Sequence, residues 1–231
     1  MTTTDRPPVK ATATSFRILE AIRDRDGAGV TELAREVGLA KSAVYKHTMT
    51  LTQLGYLVKE GTTYHLSLTF QGFGVRARER YPIRIAQPAI DNLAHTTGKT
   101  ANFVVYENGY GVYAYQTTAP GAEEPPQQEF SRVPLHATAG GKAILAYLPD
   151  DERTEVLNQQ GLPAMTEKTI TERTALQREL RSVRDRRVAF DREEFTVGYQ
   201  CVGSPIVDSS TRFVGAVSVS GSMDEMAGKR L

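Results

Sequence analysis

Residues 30–68 read VTELAREVGLAKSAVYKHTMTLTQLGYLVKEGTTYHLSL, and this stretch decides the fold of the N-terminal part of the chain. A short helix comes first, and Thr31 is its predicted cap. Gly38 breaks this helix, as the tight turn between two crossed helices requires. The predicted buried face of the short helix consists of Leu33, Ala34 and Val37.

A second helix follows the turn and carries a polar, basic side opposite its apolar side. Its predicted buried residues are Val44, Leu51 and Leu54. Gly55 ends it, and residues 56–58 are predicted to pair with residues 64–68 across a KEGT turn, as in a β-hairpin. Two crossed helices and a hairpin form a winged helix-turn-helix, which is a fold that reads duplex DNA.

The exposed polar side chains of this segment are the predicted contacts to DNA. The first residues of a recognition helix reach base edges in the major groove, and residues at the tip of the wing touch the flanking backbone. The alternative is a structural or protein-binding winged domain with a solvated charged face. It is disfavoured because turn, wing and basic edge occur together. The predicted DNA-binding residues are Thr31, Lys41, Ser42, Tyr45, Lys46, Lys59 and Thr62.

Two further helices are predicted on either side of this segment. The first spans residues 14–25, with an apolar stripe of Phe16, Leu19 and Ile22. The second is a linker helix over residues 69–81, closed by Pro82, with an apolar side of Phe70, Phe73 and Ala77. We expect the linker helix to pack against its copy in a dimer; the alternative is that it only caps the winged domain.

The charge of the chain is divided unequally between its two parts. The 28 basic and 27 acidic residues nearly balance, so overall charge gives no argument for nucleic acid. Residues 1–80 nevertheless carry a net charge of +4 and residues 81–231 a net charge of −3, so the basic excess lies with the predicted helix-turn-helix. An excess of +4 is modest, so we expect two copies to read a palindromic operator together.

Composition also bounds the location of the chain. The single cysteine, Cys201, excludes an intramolecular disulfide and fits a reducing cytosol, so a cytoplasmic protein is expected. The apolar runs are far shorter than the ~18 residues of a membrane span, and no signal peptide is recognisable. No membrane partner is therefore expected. Residues 1–10 are polar and are expected to form a flexible tail.

The winged domain is predicted to span residues 11–68, and residues 82–231 are predicted to form a second domain of helices around antiparallel strands. A turn with the sequence ENGY joins its first two strands. The predicted strands are 100–106, 111–117, 188–190, 202–207 and 213–220. The predicted helices are 142–148, 151–158 and 172–186, preceded by an amphipathic helix with Ile85, Ala89, Ile90 and Leu93 on its apolar face. Residues 117–128 are predicted to form an exposed loop. The fold class is therefore α+β.

Three sequence elements carry a resemblance to a known family. They are LAKSAVYK at residues 39–46, PLHATAGGKA at residues 134–143, and FDREE at residues 190–194 followed by GYQCV at residues 198–202. From about residue 11 to residue 228 the chain resembles the IclR family of transcriptional regulators. The resemblance implies a GAF-like effector-binding domain, dimers or dimers of dimers, and DNA binding modulated by a small metabolite, often a carboxylate.

The second of these elements has a chemistry of its own. Residues 136–142 form a turn of small residues that enters a helix, so the backbone N–H groups of Ala139 and Gly140 are predicted to point into a cavity as an anion site. The resemblance implies that these amides bind an effector carboxylate. It also implies polar and apolar contacts from Val133, Asp191, Tyr199 and Cys201. Two alternatives stay open: the small residues only allow close packing, and Asp191 only caps a turn.

The sequence departs from the family pattern at three places. Ala40 stands where many members have proline, a change with little effect because alanine is also a competent helix former. Tyr199 is an aromatic residue where members often carry a smaller aliphatic one, which reshapes the expected pocket. The resemblance implies one more helix after the final strand, whereas the sequence stops at Leu231. Whether this end is a truncation stays open.

Other functions are disfavoured by the residues available. Cys201, His136 and Asp191 supply the residue types of a cysteine hydrolase, but their spacing does not show that they meet, so no catalytic residue is expected. The four histidines lack ligand spacing, and neither a metal nor a cofactor is expected. Three alternatives remain beside the effector-modulated regulator: redox sensing by Cys201, a C-terminal domain that only dimerises and, as the least favoured, a cysteine-dependent enzyme.

Overall fold

The computed structural model describes residues 7–209 and 213–227. Two compact units make up the chain, with the boundary between Arg80 and Tyr81. No helix in the described ranges is long and apolar enough to cross a membrane. Residues 1–6 of the expected tail lie outside the described residues, and Lys10 of that tail already belongs to the first helix.

The first unit is a winged helix-turn-helix. Its elements are α1 (Lys10–Asp24), β1 (Ala28–Gly29), α2 (Val30–Val37), α3 (Lys41–Gln53), β2 (Leu57–Glu60), β3 (Thr63–Leu66) and α4 (Thr69–Arg78). The three strands form an antiparallel sheet in the order β1-β3-β2. Gly38 ends α2 in the left-handed conformation that the turn between the two helices requires. The core joins α1, α2, α3 and the wing through Ile18, Ile22, Leu33, Val37, Val44 and Leu57.

Several side chains of this unit differ from the sequence-based expectation. Thr31 does not cap α2, because the helix begins one residue earlier at Val30 and the N–H of Gly29 donates instead to Glu32 Oε2 at 2.9 Å. The side chain of Leu54 is 63% exposed, since it follows the last helical residue of α3. The buried side of α3 instead includes Thr48, whose hydroxyl donates to the carbonyl of Tyr45 at 3.1 Å.

The two flanking helices also differ. Phe16 is 57% exposed, because α1 buries the stripe of Ile18, Leu19, Ala21 and Ile22, and Phe16 points away from it. Helix α4 ends at Arg78, three residues before its predicted end, and none of its residues is buried within the described chain. The wing is tighter than predicted: its strands pair from Leu57–Leu66 to Glu60–Thr63, and Gly61 takes a positive φ in the turn.

The second unit is a six-stranded antiparallel sheet with helices on both faces. Its elements are α5 (Ile83–Thr97), β4 (Thr100–Glu107), β5 (Tyr110–Thr118), β6 (Arg132–Pro134), α6 (Ala139–Tyr147), α7 (Asp150–Gln160), α8 (Arg173–Arg186), β7 (Ala189–Arg192), β8 (Tyr199–Val207), β9 (Phe213–Ser222) and α9 (Met223–Ala227). The strand order is β6-β5-β4-β9-β8-β7. Asn108 and Gly109 both take positive φ in the β4–β5 turn, as the predicted hairpin requires.

Alternating residues of the sheet build two separate cores. On one face, Val104 and Ala216 join α6, α7 and α8 in a cluster that includes Ile144, Leu145, Val156, Leu176, Leu180 and Val183. On the other face, Phe103 and Val105 pack against α5 through Ile83, Ile90 and Ala94. Because successive strand residues point to opposite faces, β4 contributes to both cores with consecutive side chains.

Three short elements and one helix face were not predicted correctly. Strands β1 and β6 and helix α9 are too short to produce a periodic pattern in the sequence. Ile85 is 82% exposed, because α5 buries Ile83, Ile90 and Ala94 and Ile85 lies on the opposite side. The predicted exposed loop begins two residues later than expected, since Thr117 and Thr118 still belong to β5.

Two glycines let α6 lie directly on the sheet. A Cβ added at Gly203 of β8 would lie 2.8 Å from the carbonyl carbon of Ala139 and 3.0 Å from the nitrogen of Gly140. A Cβ added at Gly140 would lie 2.9 Å from Cγ2 of Val104. The first turn of α6 and the strand beneath it are therefore in backbone contact, which residues with side chains do not permit.

This contact predicts the effect of Gly203→Ala. We expect the variant to lose about 1–3 kcal/mol of unfolding free energy, because the new methyl group meets backbone that cannot rotate away. Urea denaturation of the full chain measures this loss. Gly111→Ala is the matched control, since its Cβ would meet only side-chain methyl groups of Val133, Val104 and Leu135, at 3.2–3.5 Å. Equal stability of the two variants would contradict the close seating of α6.

Candidate functional site

The N-terminus of α3 presents unpaired donors in the first unit. Ala40 precedes the helix, and its carbonyl accepts from the N–H groups of Ala43 and Val44. The N–H groups of Lys41 and Ser42 have no hydrogen-bond partner among the described residues, and both residues are exposed. Backbone donors at a helix N-terminus, next to a lysine and a serine, are groups of the kind that phosphate binds in other proteins.

The remaining predicted DNA contacts surround this N-terminus. Tyr45 and Lys46 are exposed one turn further along α3, and Thr31 lies on the exposed side of α2. The groove between the two helices is lined by Thr31, Glu32, Ala34, Arg35, Leu39, Ala40 and Lys41. Arg35 is an additional candidate that the sequence interpretation missed, although its place one helical turn after Thr31 puts it on the same helix face.

The wing carries its two predicted contacts in different environments. Thr62 is exposed in the turn between β2 and β3. Lys59 lies on β2 opposite Tyr64, and its ammonium group stands 5.6 Å from the centroid of the Tyr64 ring. This cation–π contact orients the lysine along the wing while leaving it exposed.

In the second unit, the N-terminus of α6 has buried donors without partners. The side-chain oxygen of Thr138 caps the helix by accepting from the N–H of Gly141 at 3.1 Å. The N–H groups of Ala139 and Gly140 have no partner among the described residues, and both residues are buried. Buried backbone donors are nearly always paired in folded proteins, so two adjacent ones mark a place for an acceptor.

A row of polar side chains crosses the sheet on the face where α6 lies. Asp191 of β7 is opposite Cys201 of β8, Cys201 is opposite Ser220 of β9, and Ser220 is opposite Thr100 of β4. The thiol of Cys201 donates to the hydroxyl oxygen of Ser220 at 3.2 Å. Cys201 shares its sheet face with Gly203, two residues along the strand, so this row lies next to the first turn of α6.

Asp191 is a buried carboxyl group in this row. Its Oδ1 accepts from the N–H of Glu194 at 2.8 Å and from the N–H of Phe195 at 3.3 Å. Burial raises the pKa of Asp191 to about 7, and the nearby carboxylate of Glu194 adds to this, while the two N–H groups and Lys142 act in the opposite direction. A carboxyl group with a pKa near neutrality is able to donate a hydrogen bond as the acid and to accept one as the carboxylate.

Lys142 ties the Asp191 segment to α6. Its side chain is completely buried, and its Nζ donates to Glu194 Oε1 at 2.6 Å and lies 3.5 Å from Glu179 Oε1 of α8. The second carboxylate oxygen of Glu194 is buried and has no partner in the described chain. A buried lysine requires such carboxylate partners. Lys142, which lies close to the unpaired N–H groups at the start of α6, is therefore an ion-paired residue of the fold.

Val133 and Tyr199, the two predicted wall residues, lie in different places. Val133 is buried in β6 beside Leu135, in the core on the α6 side of the sheet. Tyr199 begins β8, and its hydroxyl donates to the carbonyl of Glu124 at 3.3 Å, in the loop that joins β5 to β6. Tyr199 thus holds this loop at the end of the sheet that carries the polar row.

Four polar residues of the site were missed by the sequence interpretation. Asn102, Ser218 and Ser220 are buried on the same sheet face, and Asn102 donates to both serines. Tyr113 is also buried, and its pKa is raised by burial and then by Cys201 and Asp191, so its hydroxyl lies near both groups. The signal in the sequence was the alternation of serine with apolar residues at 218–220, which places both hydroxyls on one face.

The environment of Cys201 argues against redox sensing by this residue and against a cysteine-dependent enzyme. Burial raises the pKa of its thiol to about 12, and the carboxylate of Asp191 adds to this, so the reactive thiolate is suppressed. The recorded hydrogen bond of His136 is to the carbonyl of Pro163 at 3.0 Å, and burial lowers its pKa. Within the described ranges, no group of three or more His, Cys, Asp or Glu residues is arranged to hold a metal ion.

The raised pKa of Asp191 predicts a pH dependence of stability. The folded-state value of about 7 lies above the ordinary value of 3.8, so the native state keeps a proton that the unfolded chain has already released. Its contribution to stability is complete below pH 4 and is lost as the pH rises through 7. We expect Asp191→Asn to gain about 2–4 kcal/mol over the wild type between pH 4 and pH 8.

Urea denaturation across this pH range measures the difference. Asp185→Asn, which changes an exposed carboxylate of α8, serves as the control and is expected to follow the wild type. If the difference between Asp191→Asn and the wild type is the same at every pH, Asp191 is not protonated in the native state.

Comparison with known proteins places both units in one family. A family model described as "IclR helix-turn-helix domain" matches residues 13–61. A second family model, described as "Bacterial transcriptional regulator IclR C-terminal", matches residues 78–231. The chain is 31% identical over 208 residues to the HTH-type transcriptional regulator KdgR of Escherichia coli (strain K12), covering 89% of this chain and 79% of that protein.

Solved structures agree with this assignment. The crystal structure of Thermotoga maritima IclR matches with a TM-score of 0.74 at 30% identity, covering 92% of this chain and 87% of that chain. An IclR homolog from Microbacterium hydrocarbonoxydans, complexed with 4-hydroxybenzoate, shares the fold with a TM-score of 0.79 at 18% identity, covering 96% and 91%. The chain therefore belongs to the IclR family: it is a DNA-binding transcriptional regulator and not an enzyme.

Proposed function

We propose that the effector is a small carboxylate bound at the N-terminus of α6, and that a cytoplasmic homodimer, or a dimer of dimers, reads a palindromic operator with α3. The observation that carries the effector proposal is the pair of buried, unpaired N–H groups of Ala139 and Gly140. Each such donor costs about 1–3 kcal/mol when it is left unpaired, and a carboxylate would remove both costs with its two oxygens.

The surroundings of these amides support an anion with a polar substituent. The serine hydroxyls of β9 and the carboxyl group of Asp191 lie on the adjoining sheet face. Because the pKa of Asp191 is about 7, this group is suited to an effector hydroxyl or carbonyl group beside the carboxylate. The 4-hydroxybenzoate in the Microbacterium hydrocarbonoxydans homolog is itself a carboxylate with a hydroxyl group.

The proposal for DNA rests on α3 and the wing. Lys41 and Ser42 combine side chains with free backbone donors, so they suit phosphate, while Tyr45 and Lys46 extend along the same exposed side toward base edges. A single copy has a net charge of only +4 in residues 1–80, so a dimer is needed to double the phosphate contacts. The proposed DNA-binding residues are Thr31, Arg35, Lys41, Ser42, Tyr45, Lys46, Lys59 and Thr62.

Effector binding changes DNA affinity only if the two states of the regulator bind the effector unequally. A carboxylate that binds one arrangement of the second unit more tightly than the other would meet this condition. A domain that only dimerises would have no use for the buried unpaired donors. The raised thiol pKa disfavours redox sensing by Cys201.

The DNA proposal predicts the effect of Lys46→Ala. We expect this variant to lose about 1–3 kcal/mol of operator binding free energy, because a positioned contact to base or phosphate is removed from each half-site. A gel shift at fixed salt concentration measures the loss. Lys10→Ala is the matched control, since it removes the same charge from an exposed position of α1. If both variants bind equally well, overall charge and not α3 accounts for the affinity.

The effector proposal predicts a ligand-induced rise in thermal stability. We would screen small carboxylates, sugar acids and aromatic acids, including 4-hydroxybenzoate, against the purified chain. A ligand at ~100 times its dissociation constant adds about 2.7 kcal/mol, visible as a shift of several degrees. We expect Asp191→Ala to abolish the shift and Asp185→Ala, at an exposed position, to keep it. A shift that survives in Asp191→Ala would place the pocket elsewhere, and no shift with any acid would contradict a carboxylate effector.

A further inference from the structure

A chain of side-chain amides crosses the sheet next to the proposed effector site. Asn102 is completely buried in β4, and its Nδ2 donates to Ser218 Oγ at 3.3 Å and to Ser220 Oγ at 3.2 Å. Its Oδ1 accepts from Gln116 Nε2 at 2.8 Å. The same Gln116 nitrogen donates to the backbone carbonyl of Gln127 at 3.0 Å, in the loop between β5 and β6.

The donor-to-acceptor direction of these hydrogen bonds follows from the last group in the series, the backbone carbonyl of Gln127. The oxygen and nitrogen of a side-chain amide have nearly the same shape, so their assignment depends on their partners. A backbone carbonyl only accepts, which means that the Gln116 atom facing Gln127 must be the nitrogen. The Asn102 atom that faces this nitrogen must then be the oxygen. The nitrogen of Asn102 is therefore left to face the two serines.

This direction decides what the serine hydroxyls offer to a ligand. Each serine oxygen accepts from Asn102, and the oxygen of Ser220 also accepts from Cys201. A hydroxyl that accepts in this way directs its own proton elsewhere. No hydrogen bond to an oxygen or nitrogen acceptor is donated by either serine among residues 7–209 and 213–227, and the only other neighbour of Ser220 Oγ is the thiol of Cys201 at 3.2 Å, a weak acceptor. Both protons are therefore available to a bound molecule.

The two serines lie on the sheet face that carries α6. Ser218 is opposite Gly203, the residue on which Ala139 and Gly140 rest, and Ser220 is opposite Cys201. We propose that Asn102, held in one orientation by Gln116, is a positioning residue that makes Ser218 and Ser220 hydrogen-bond donors. The site then selects acceptor groups, such as carboxylate or carbonyl oxygens, and rejects donors of the same shape. This inference rests on the proposed carboxylate site. It identifies Asn102 and Gln116 as the residues that decide whether the site offers hydrogen-bond donors or acceptors.

Reversing the amide tests the proposal. In Asn102→Asp, the ionised side chain accepts through both oxygens, so at a pH above the pKa of the new carboxyl group the serines must donate to it and present lone pairs to the ligand. Acetate and acetamidinium are suitable probes, because they are planar and similar in shape but carry acceptors and donors respectively. We would titrate each into the full chain and follow the backbone amide resonances of Ala139 and Gly140 by NMR spectroscopy.

The wild type is expected to bind acetate and not acetamidinium. Asn102→Asp is expected to bind acetate at least about tenfold more weakly, as the loss of hydrogen bonds to a charged group implies, and to gain affinity for acetamidinium. Acetate affinity within twofold of the wild type, in a folded variant, would overturn the role of Asn102. No response of the wild type to acetate would instead contradict the proposed carboxylate site itself.

A neutral variant separates polarity from the added charge and covers the case in which Asn102→Asp does not fold. Gln116→Met removes the group that fixes the Asn102 amide, so the amide is free to turn its oxygen toward the serines. We expect acetate affinity to fall severalfold and the melting temperature without ligand to fall as well, because one atom of the buried Asn102 amide loses its partner. Thr118→Val is the control, because it alters a hydroxyl of the same strand that bonds Thr100 and not the amide chain. Equal acetate affinity in Gln116→Met and Thr118→Val would overturn the proposal.

Discussion

The backbone contact between α6 and strand β8 is the constraint on which the second unit depends. Gly203 offers no side chain at this point, so the first turn of α6 lies on the strand itself, and Gly140 fits against Val104 for the same reason. As a consequence, two N–H groups at the start of the helix are enclosed by protein and lack acceptors. A helix begun by bulkier residues would have stood further from the sheet, where water would have satisfied these donors.

This enclosure also explains the unusual chemistry of the neighbouring side chains. Removal from water raises the pKa of both Asp191 and Cys201, so neither group carries a full charge near neutral pH. The one permanent cation close by, Lys142, is already neutralised by Glu194 and Glu179. In the proposed function, an anion at this site would be bound by oriented dipoles, namely backbone amides and hydroxyl groups, and not by a basic side chain. Such a site favours a small, weakly hydrated carboxylate over a highly charged anion.

The winged unit also has unpaired N–H groups at the N-terminus of a helix, but there they are exposed and not buried. At the start of α3 the free N–H groups are exposed, and they stand beside a lysine and a serine. Water satisfies these donors in the absence of DNA. A phosphate contact therefore adds only the difference in free energy between a hydrogen bond to phosphate and one to water. Affinity must then be built from many such contacts, which fits a regulator that binds DNA as more than one copy. The start of α6 in the second unit is buried, so its two N–H groups face an enclosed site that one small ligand is enough to occupy.

The sequence by itself determined the order and type of nearly all the longer elements, because helical and strand periodicities are local. It also determined the glycine turn at Gly38 and the hairpin at Asn108–Gly109, since these backbone conformations require particular residues. It placed Ala139 and Gly140 at a helix N-terminus, and the resemblance to the IclR family directed attention to Asp191 and Cys201.

Tertiary structure alone decided which faces are buried and which polar groups meet. Phe16, Leu54 and Ile85 are exposed because packing between elements, and not hydrophobicity, selects the buried side. Asn102, Gln116, Ser218 and Ser220 are up to 118 positions apart in the chain and become neighbours only through strand pairing. Their hydrogen-bond direction depends on one backbone carbonyl in a distant loop. No local pattern carries that information, because a hydrogen bond is directed by its partners and those partners are brought together only by the fold.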